Sequence, residues 1–203
     1  MKKFRGLAFL IGFIGAIVFS NWNSFAGFAK SYDKLQKDVL RLHVIANSDS
    51  GEDQALKLKI RDEILKNSGK LFGNAHDIDT AKENVSGKLE EIEELSEIMA
   101  LNNGYDYDVE CELVENMKFD AKDYDDITMP AGTYDALRVK IGDAKGKNWW
   151  CVMYPPLCLP ICDGEKELPA NEYFGEEEYD IIKNPKKYQV KFKILEVLKQ
   201  LTD

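Results

Sequence analysis

Four short stretches of this chain carry a two-residue rhythm, and that rhythm limits what the chain can fold into more than any other feature. In Val39 to Ala46, Leu40, Leu42, Val44 and Ala46 share one face and Val39, Arg41, His43 and Ile45 the other, the pattern of a strand whose successive side chains point to opposite sides. Tyr107, Val109, Cys111 and Leu113 alternate with Asp108, Glu110 and Glu112, which predicts a half-buried strand. Thr133 to Ile141 turns Leu137, Val139 and Ile141 inward and Arg138 and Lys140 outward. Asn148 to Tyr154 returns after a turn at Gly142 to Lys147, so the last two stretches read as a hairpin with a longer loop.

Between these stretches the period changes to that of a helix. Asn47-Ser48-Asp49-Ser50 is a turn and helix-start signal, and Ser50 followed by Asp53 resembles a capping box. Leu56, Ile60 and Ile64 then form an apolar stripe that ends at Ser68-Gly69. A second helix is expected from Ile78 to Leu101, with Ala81, Val85, Leu89, Ile92, Leu95 and Met99 on one face. Its other face, with Glu90, Glu91, Glu93, Glu94 and Glu97, reads as solvated. Met117 to Pro130 is irregular and acidic, and the chain from Pro156 to Asn184 is loop-like. Asn184-Pro185 opens a last helix with Ile194, Val197, Leu198 and Leu201 on its stripe, although Val190, Phe192 and Ile194 also fit a short strand first. The order is buried most simply as a single α+β domain: a helical pair packed on a mostly antiparallel four-stranded sheet, plus a C-terminal helix.

The N-terminus has the three parts of a secretory signal. Lys2, Lys3 and Arg5 are followed by an uncharged apolar run, Gly6 to Phe19, and a more polar stretch ending Ser24-Phe25-Ala26. Cleavage is expected after Ala26, with Ala29 as the second choice; a retained membrane anchor from near Arg5 to Ala29 is the alternative. Either way residues 27–203 are expected to form one extracytoplasmic domain, with Gly27 to Lys37 a short polar lead-in. The net charge is −9, and loss of the three N-terminal cations makes it more negative. An acidic domain is repelled by phosphates and anionic headgroups, so nucleic acid and membrane surfaces are poor partners and a protein is the better one.

Few constellations carry chemistry. Arg41 and His43 share a strand face, and Asn47 and Asp49 follow where a turn feeds a helix N-terminus, a place where polar groups can meet an anion. The plainer reading is an ion-paired Arg41, a satisfied His43 and two turn residues. Trp149 and Trp150 must face opposite ways on a strand, so one can be core while the other faces a second layer or a partner. Of four cysteines, Cys111 reads as a buried small hydrophobe. Cys151 and Cys158 flank Pro155-Pro156 and form a disulfide if the chain reverses there, or a reduced pair if it does not. Cys162 completes the set, and four cysteines allow three full connectivities. No zinc spacing is present, and no cofactor, metal or small-molecule substrate is implied. A cysteine hydrolase would need Cys151 and His43 side by side.

Two stretches, Arg41-Leu-His-Val-Ile-Ala-Asn-Ser-Asp49 and the Asn148-Trp-Trp-Cys…Pro-Pro-Leu-Cys158 run, resemble the stage II sporulation protein R family of endospore-forming bacteria. Glu52-Asp-Gln-Ala-Leu-Lys-Leu-Lys59, Pro130-Ala-Gly-Thr-Tyr-Asp-Ala-Leu-Arg-Val139 and Lys191-Phe-Lys-Ile-Leu-Glu196 match in the same order. Lys118 to Asp126 is more acidic than the family pattern, and Pro160 to Lys187 has the composition of an insert. The resemblance implies a signal made in the forespore and exported into the space between the two sporulation membranes. There it would trigger a membrane-embedded aspartic protease of the mother cell, which removes the pro-sequence of a sigma factor. Arg41, His43, Asn47, Asp49, Trp149 and Trp150 are then the candidate contacts, and a cell-wall hydrolase using Cys151 and His43 is the competing expectation.

Overall fold

The computed structural model describes residues 2–124, 127–156 and 170–202. Its helices are α1 (Lys2–Lys37), α2 (Gly51–Lys66), α3 (Ser68–Phe72), α4 (Ile78–Ser86), α5 (Leu89–Asn102), α6 (Glu176–Lys183) and α7 (Gln189–Thr202); its strands are β1 (Leu40–Ile45), β2 (Val109–Phe119), β3 (Lys122–Tyr124), β4 (Ile127–Met129), β5 (Gly132–Ile141) and β6 (Asn148–Tyr154). The architecture is α+β. The main sheet has the order β2-β5-β1-β6, and β3 and β4 form a separate two-stranded ribbon. β2/β5 and β1/β6 run antiparallel, while β1/β5 is parallel.

The expected hairpin of β5 and β6 does not form, because β1 lies between them. The six-residue connection spans one whole strand and is tied to the end of β1: the Lys145 amide donates to the Asn47 carbonyl (3.0 Å) and the Gly146 amide to that of Ala46 (2.9 Å). Gly146 is required here, since a Cβ would sit 2.2 Å from the Ser48 carbonyl oxygen. Two hydrophobic strands adjacent in sequence do not reveal a third between them.

The apolar strand faces and the helical stripes form one core. Leu42, Val44, Leu137, Val139, Ile141 and Cys151 meet Leu56, Ile60, Ile64, Ala81, Val85 and Ile92. The long second helix is broken into α4 and α5. Gly87 closes α4 by donating to the Glu83 carbonyl, and Lys88 leaves helical geometry at φ −126°. Glycine is a weak helix former, and the break lets Val85 and Ile92 both reach the core.

β2 extends well past the expected Leu113, through an irregularity between Val114 and Met117 with Asn116 at φ 55°. It is an edge strand, and edge strands offer unpaired amides. Two glutamates of α5 answer them: Glu97 accepts from the Val109 amide (3.1 Å) and Glu93 from that of Cys111 (2.7 Å). Part of the acidic face read as solvated therefore shields the sheet edge.

Gly27 to Lys37 is not a short polar lead-in but the last turns of α1. Phe28, Tyr32 and Leu35, at helical spacing, are buried in the core, and the Tyr32 hydroxyl donates to the Ala131 carbonyl. Ala26, the expected cleavage position, lies inside this helix. The acidic run 176–178 opens α6, where negative charge suits the helix N-terminus. Glu177 accepts from Ser31 Oγ (2.5 Å) and Glu178 pairs with Lys34 (2.6 Å). Among the described residues no helix is long and apolar enough to cross a membrane.

Candidate functional site

The second face of the main sheet is where chemistry-bearing side chains collect. The register lines up one residue from each strand: Glu112 of β2, Arg138 of β5, His43 of β1 and Trp150 of β6. The next row is Glu110, Lys140, Ile45 and Asn148. Arg138 pairs with Glu112 (2.8 Å), and Lys140 bridges Glu112 (2.6 Å) and Glu110 (3.1 Å). These cations hold the Glu112 carboxyl below its ordinary range, Lys140 contributing most. Half-exposed charges facing one another across strands give a polar, water-accessible surface.

His43 and Trp150 form its aromatic part. Their rings stack with centroids 3.8 Å apart and 10° between planes. His43 Nε2 meets Asn148 Oδ1 at 2.8 Å, and its Nδ1, buried, has no partner among the described residues. Burial lowers the His43 pKa, opposed by the Asn148 bond and aided by the nearby Arg138 charge. The buried ring lies flat against the Trp150 indole.

Trp150 is also the link to a groove of about 1020 Å³ between the sheet, the β3–β4 ribbon, α1 and α7. Phe119, Trp150, Tyr32, Pro130, Phe192 and Leu195 provide its apolar walls. Phe119 meets Trp150 edge-on at 4.8 Å.

Arg41 lies behind these aromatics and is fully buried. Its guanidinium sits over Phe119 (4.4 Å) and Tyr134 (5.1 Å). Nε donates to the Cys151 carbonyl (3.1 Å) and Nη2 to the Tyr124 hydroxyl (3.2 Å). Neither acceptor is charged, so among the described residues aromatic faces and dipoles hold this cation in place of the acidic neighbour expected for it. Arg41 shapes the wall on which a ligand would rest and offers no surface of its own.

The other sequence candidates separate by position. Asn47 knits the turn after β1: its Nδ2 donates to Asp53 (2.9 Å) and Tyr107 (3.2 Å), and its Oδ1 accepts from the Asp143 amide (2.9 Å). Asp49 is exposed and accepts from the Lys147 amide (2.7 Å). Half of the expected capping box exists. Ser50 Oγ accepts from the Asp53 amide (3.0 Å), but the Asp53 carboxylate turns to Ser48, Asn47 and Tyr107. Burial raises the Asp53 pKa, and these donors outweigh it to leave the group below its ordinary value. Trp149 is on the helix-covered face, with the Arg61 guanidinium 4.2 Å from its ring centre.

Cys151 and His43 do not make a nucleophile and base. Cys151 stands opposite Leu42, and His43 opposite Trp150, so the thiol and the imidazole project from opposite faces of the sheet. Cys111 is buried, and burial with Glu93, Glu110 and Glu97 nearby pushes its thiol to about 12. Cys158, and with it the candidate Cys151–Cys158 disulfide, lies outside the described residues, as does Cys162. Among the described residues no group of His, Cys, Asp or Glu is arranged to hold a metal.

Glu112, Arg138, Phe119, Tyr124 and Tyr134 are the members of this site that sequence reasoning missed. The outward alternation of Arg138 and Lys140 was visible, but not the row that joins them to His43.

Residues 36–163 match the family model for stage II sporulation protein R. Stage II sporulation protein R of Bacillus subtilis (strain 168) is 35% identical over 128 residues, which is 63% of this chain and 57% of the relative. The chain thus aligns with little more than half the length of that relative. No solved structure matches.

Proposed function

The chain belongs to the stage II sporulation protein R family, and on that premise we propose that it is an exported sporulation signal that activates a membrane-embedded aspartic protease by binding it. Activated, the protease would remove the pro-sequence of a mother-cell sigma factor. The contact surface in this reading is the Glu112–Arg138 pair and Trp150, backed by the buried His43, with the adjoining groove. The signal would act in the space between forespore and mother cell, with residues 1–26 directing export or serving as an anchor.

One observation carries the reading: the polar sheet face presents Trp150, stacked on the buried His43 ring, beside a groove, while Cys151 projects from the opposite face. That is a surface suited to recognition, and Cys151 and His43 are not side by side as a cysteine hydrolase using them would need. A ligand activates a receptor only through greater affinity for the active state, so substitutions in the row should lower activation without touching the receptor's own chemistry.

The test is to produce this chain, the protease and the sigma precursor together in a host without sporulation genes, and to follow precursor length by immunoblot. Cleavage is expected to require this chain, to fall with Arg138→Glu and Trp150→Ala, and to persist with Cys151→Ser. Cleavage that proceeds equally without the chain would overturn the proposal.

A further inference from the structure

Helix α7 has one wall packed and one bare. Phe192 turns to the body and meets Phe28 and Tyr32 of α1 at 5.1 and 5.3 Å between ring centres. On the other side Val190, Ile194, Val197 and Leu201 are 73, 44, 46 and 78% exposed. At about 100° per residue these four fall within an arc of about 60°. That is the spacing of a buried helix face, turned to solvent. Lys191 and Lys193 leave the helix along the two edges of the stripe.

Positive charge is concentrated on this element and the segment leading into it. α7 holds Lys191, Lys193 and Lys199 against Glu196, and residues 183–203 hold six lysines against Glu196 and Asp203, in a chain whose net charge is −9. The exclusion of membrane surfaces read from net charge treats the protein as a point. At contact the field is set by charges within roughly a Debye length, about 8 Å, and around α7 the lysines are in excess even though Lys193 pairs with Glu196 (2.8 Å) and Lys187 with Asp180 (2.5 Å). Lysine stems bordering an apolar stripe can lie along it while their ammonium groups reach outward.

Phe19 and Trp22 of α1 are also exposed, and tryptophan favours the membrane–water interface. Ser24, which accepts from Lys191 Nζ through both Oγ (2.9 Å) and its carbonyl (3.1 Å), stands about 200° around α1 from Trp22, so the tryptophan projects away from the α7 contact and the stripe of α7 stands by itself.

We propose that α7 lies in the plane of an anionic lipid bilayer, its Val190–Ile194–Val197–Leu201 stripe at the boundary of headgroups and acyl chains and its lysines on the lipid headgroup charges. An apolar stripe alone would fit any apolar partner; the basic borders select a negatively charged interface. The inference goes beyond the proposed partner and does not rest on it, because the test contains lipid and no protease.

The full chain is mixed with vesicles of phosphatidylcholine, or of phosphatidylcholine with phosphatidylglycerol, and the bound fraction is read by sedimentation. The wild-type chain should bind the anionic vesicles more tightly, and added salt should weaken that binding. Ile194→Glu with Leu201→Glu should weaken it about tenfold or more. Lys186→Gln with Lys193→Gln should weaken it about 25-fold, roughly fivefold per lysine, and leave phosphatidylcholine binding unchanged. Circular dichroism reports whether either variant keeps its helices; if the glutamate variant loses them, the glutamine variant alone carries the test. Wild-type affinity in a folded glutamate variant, or in the glutamine variant, overturns the proposal in favour of contact through α1 alone. A dimer that the glutamate variant dissociates, with vesicle binding unaltered, overturns it in favour of a second copy of the chain.

Discussion

Substitution of Arg41 by side chains of different shape and charge tests how a buried cation is held at the back of the candidate site. Arg41→Ala removes two hydrogen bonds from a charged donor, worth about 1.5–3 kcal/mol each, and ring contacts worth about 0.5–2 kcal/mol. It also empties the space of a fully buried stem. With partial compensation the expected loss is about 4–6 kcal/mol, a large share of a typical domain's stability. Arg41→Met keeps most of that volume between Phe119 and Tyr134 and abolishes the desolvation cost of the cation. Apolar replacement of buried charge is often close to neutral, so the expected loss is within about 2 kcal/mol despite the loss of the Arg41 bond to the Cys151 carbonyl. Arg41→Lys should fall between the two, since a compact ammonium cannot stack or fork as guanidinium does. Urea unfolding followed by circular dichroism, with linear extrapolation, measures the series. A methionine variant as unstable as the alanine variant would refute the reasoning, because the charge itself would then be indispensable.

His43 makes stability depend on pH. Its folded pKa lies below the ordinary value, so as pH falls through about 6.5 the unfolded chain binds a proton that the folded one refuses, and stability drops. The fall should begin below pH ~6.5, level off below the folded pKa, and be absent in a folded His43→Gln variant, as read from urea midpoints across that range. Glu93→Ala and Glu97→Ala should each cost about 1–2 kcal/mol by leaving an edge amide unpaired, and hydrogen exchange at Cys111 and Val109 should quicken respectively. Gly146→Ala should destabilise by about 2 kcal/mol or more, since its Cβ meets backbone at 2.2 Å; a thermal midpoint equal to wild type would show that the β5–β6 connection yields freely.

Alternation and helical stripes were enough to foresee the α+β class, because burying one face of each element is a local demand written residue by residue. They placed β1, β5, β6 and α2 closely, and they placed Trp149 and Trp150 on opposite faces, since the period of two leaves no choice. Arg41 and His43 were legible as sharing a face; that both are buried, one caged by the rings of Phe119 and Tyr134 and the other stacked under Trp150, was not.

Sequence by itself determined which side chains had to leave water, where helices could start, and the family to which the chain is similar. Tertiary structure alone decided which strand lies beside which. The insertion of β1 between β5 and β6 builds the Glu112–Arg138–His43–Trp150 row and separates Cys151 from His43, and no local pattern encodes it, because pairing across a sheet depends on contacts between distant segments. The same holds for charge. A net value of −9 is a sum, and the fold decides where its parts stand, gathering lysines beside a bare apolar stripe on α7 and turning two glutamates of α5 to the sheet edge.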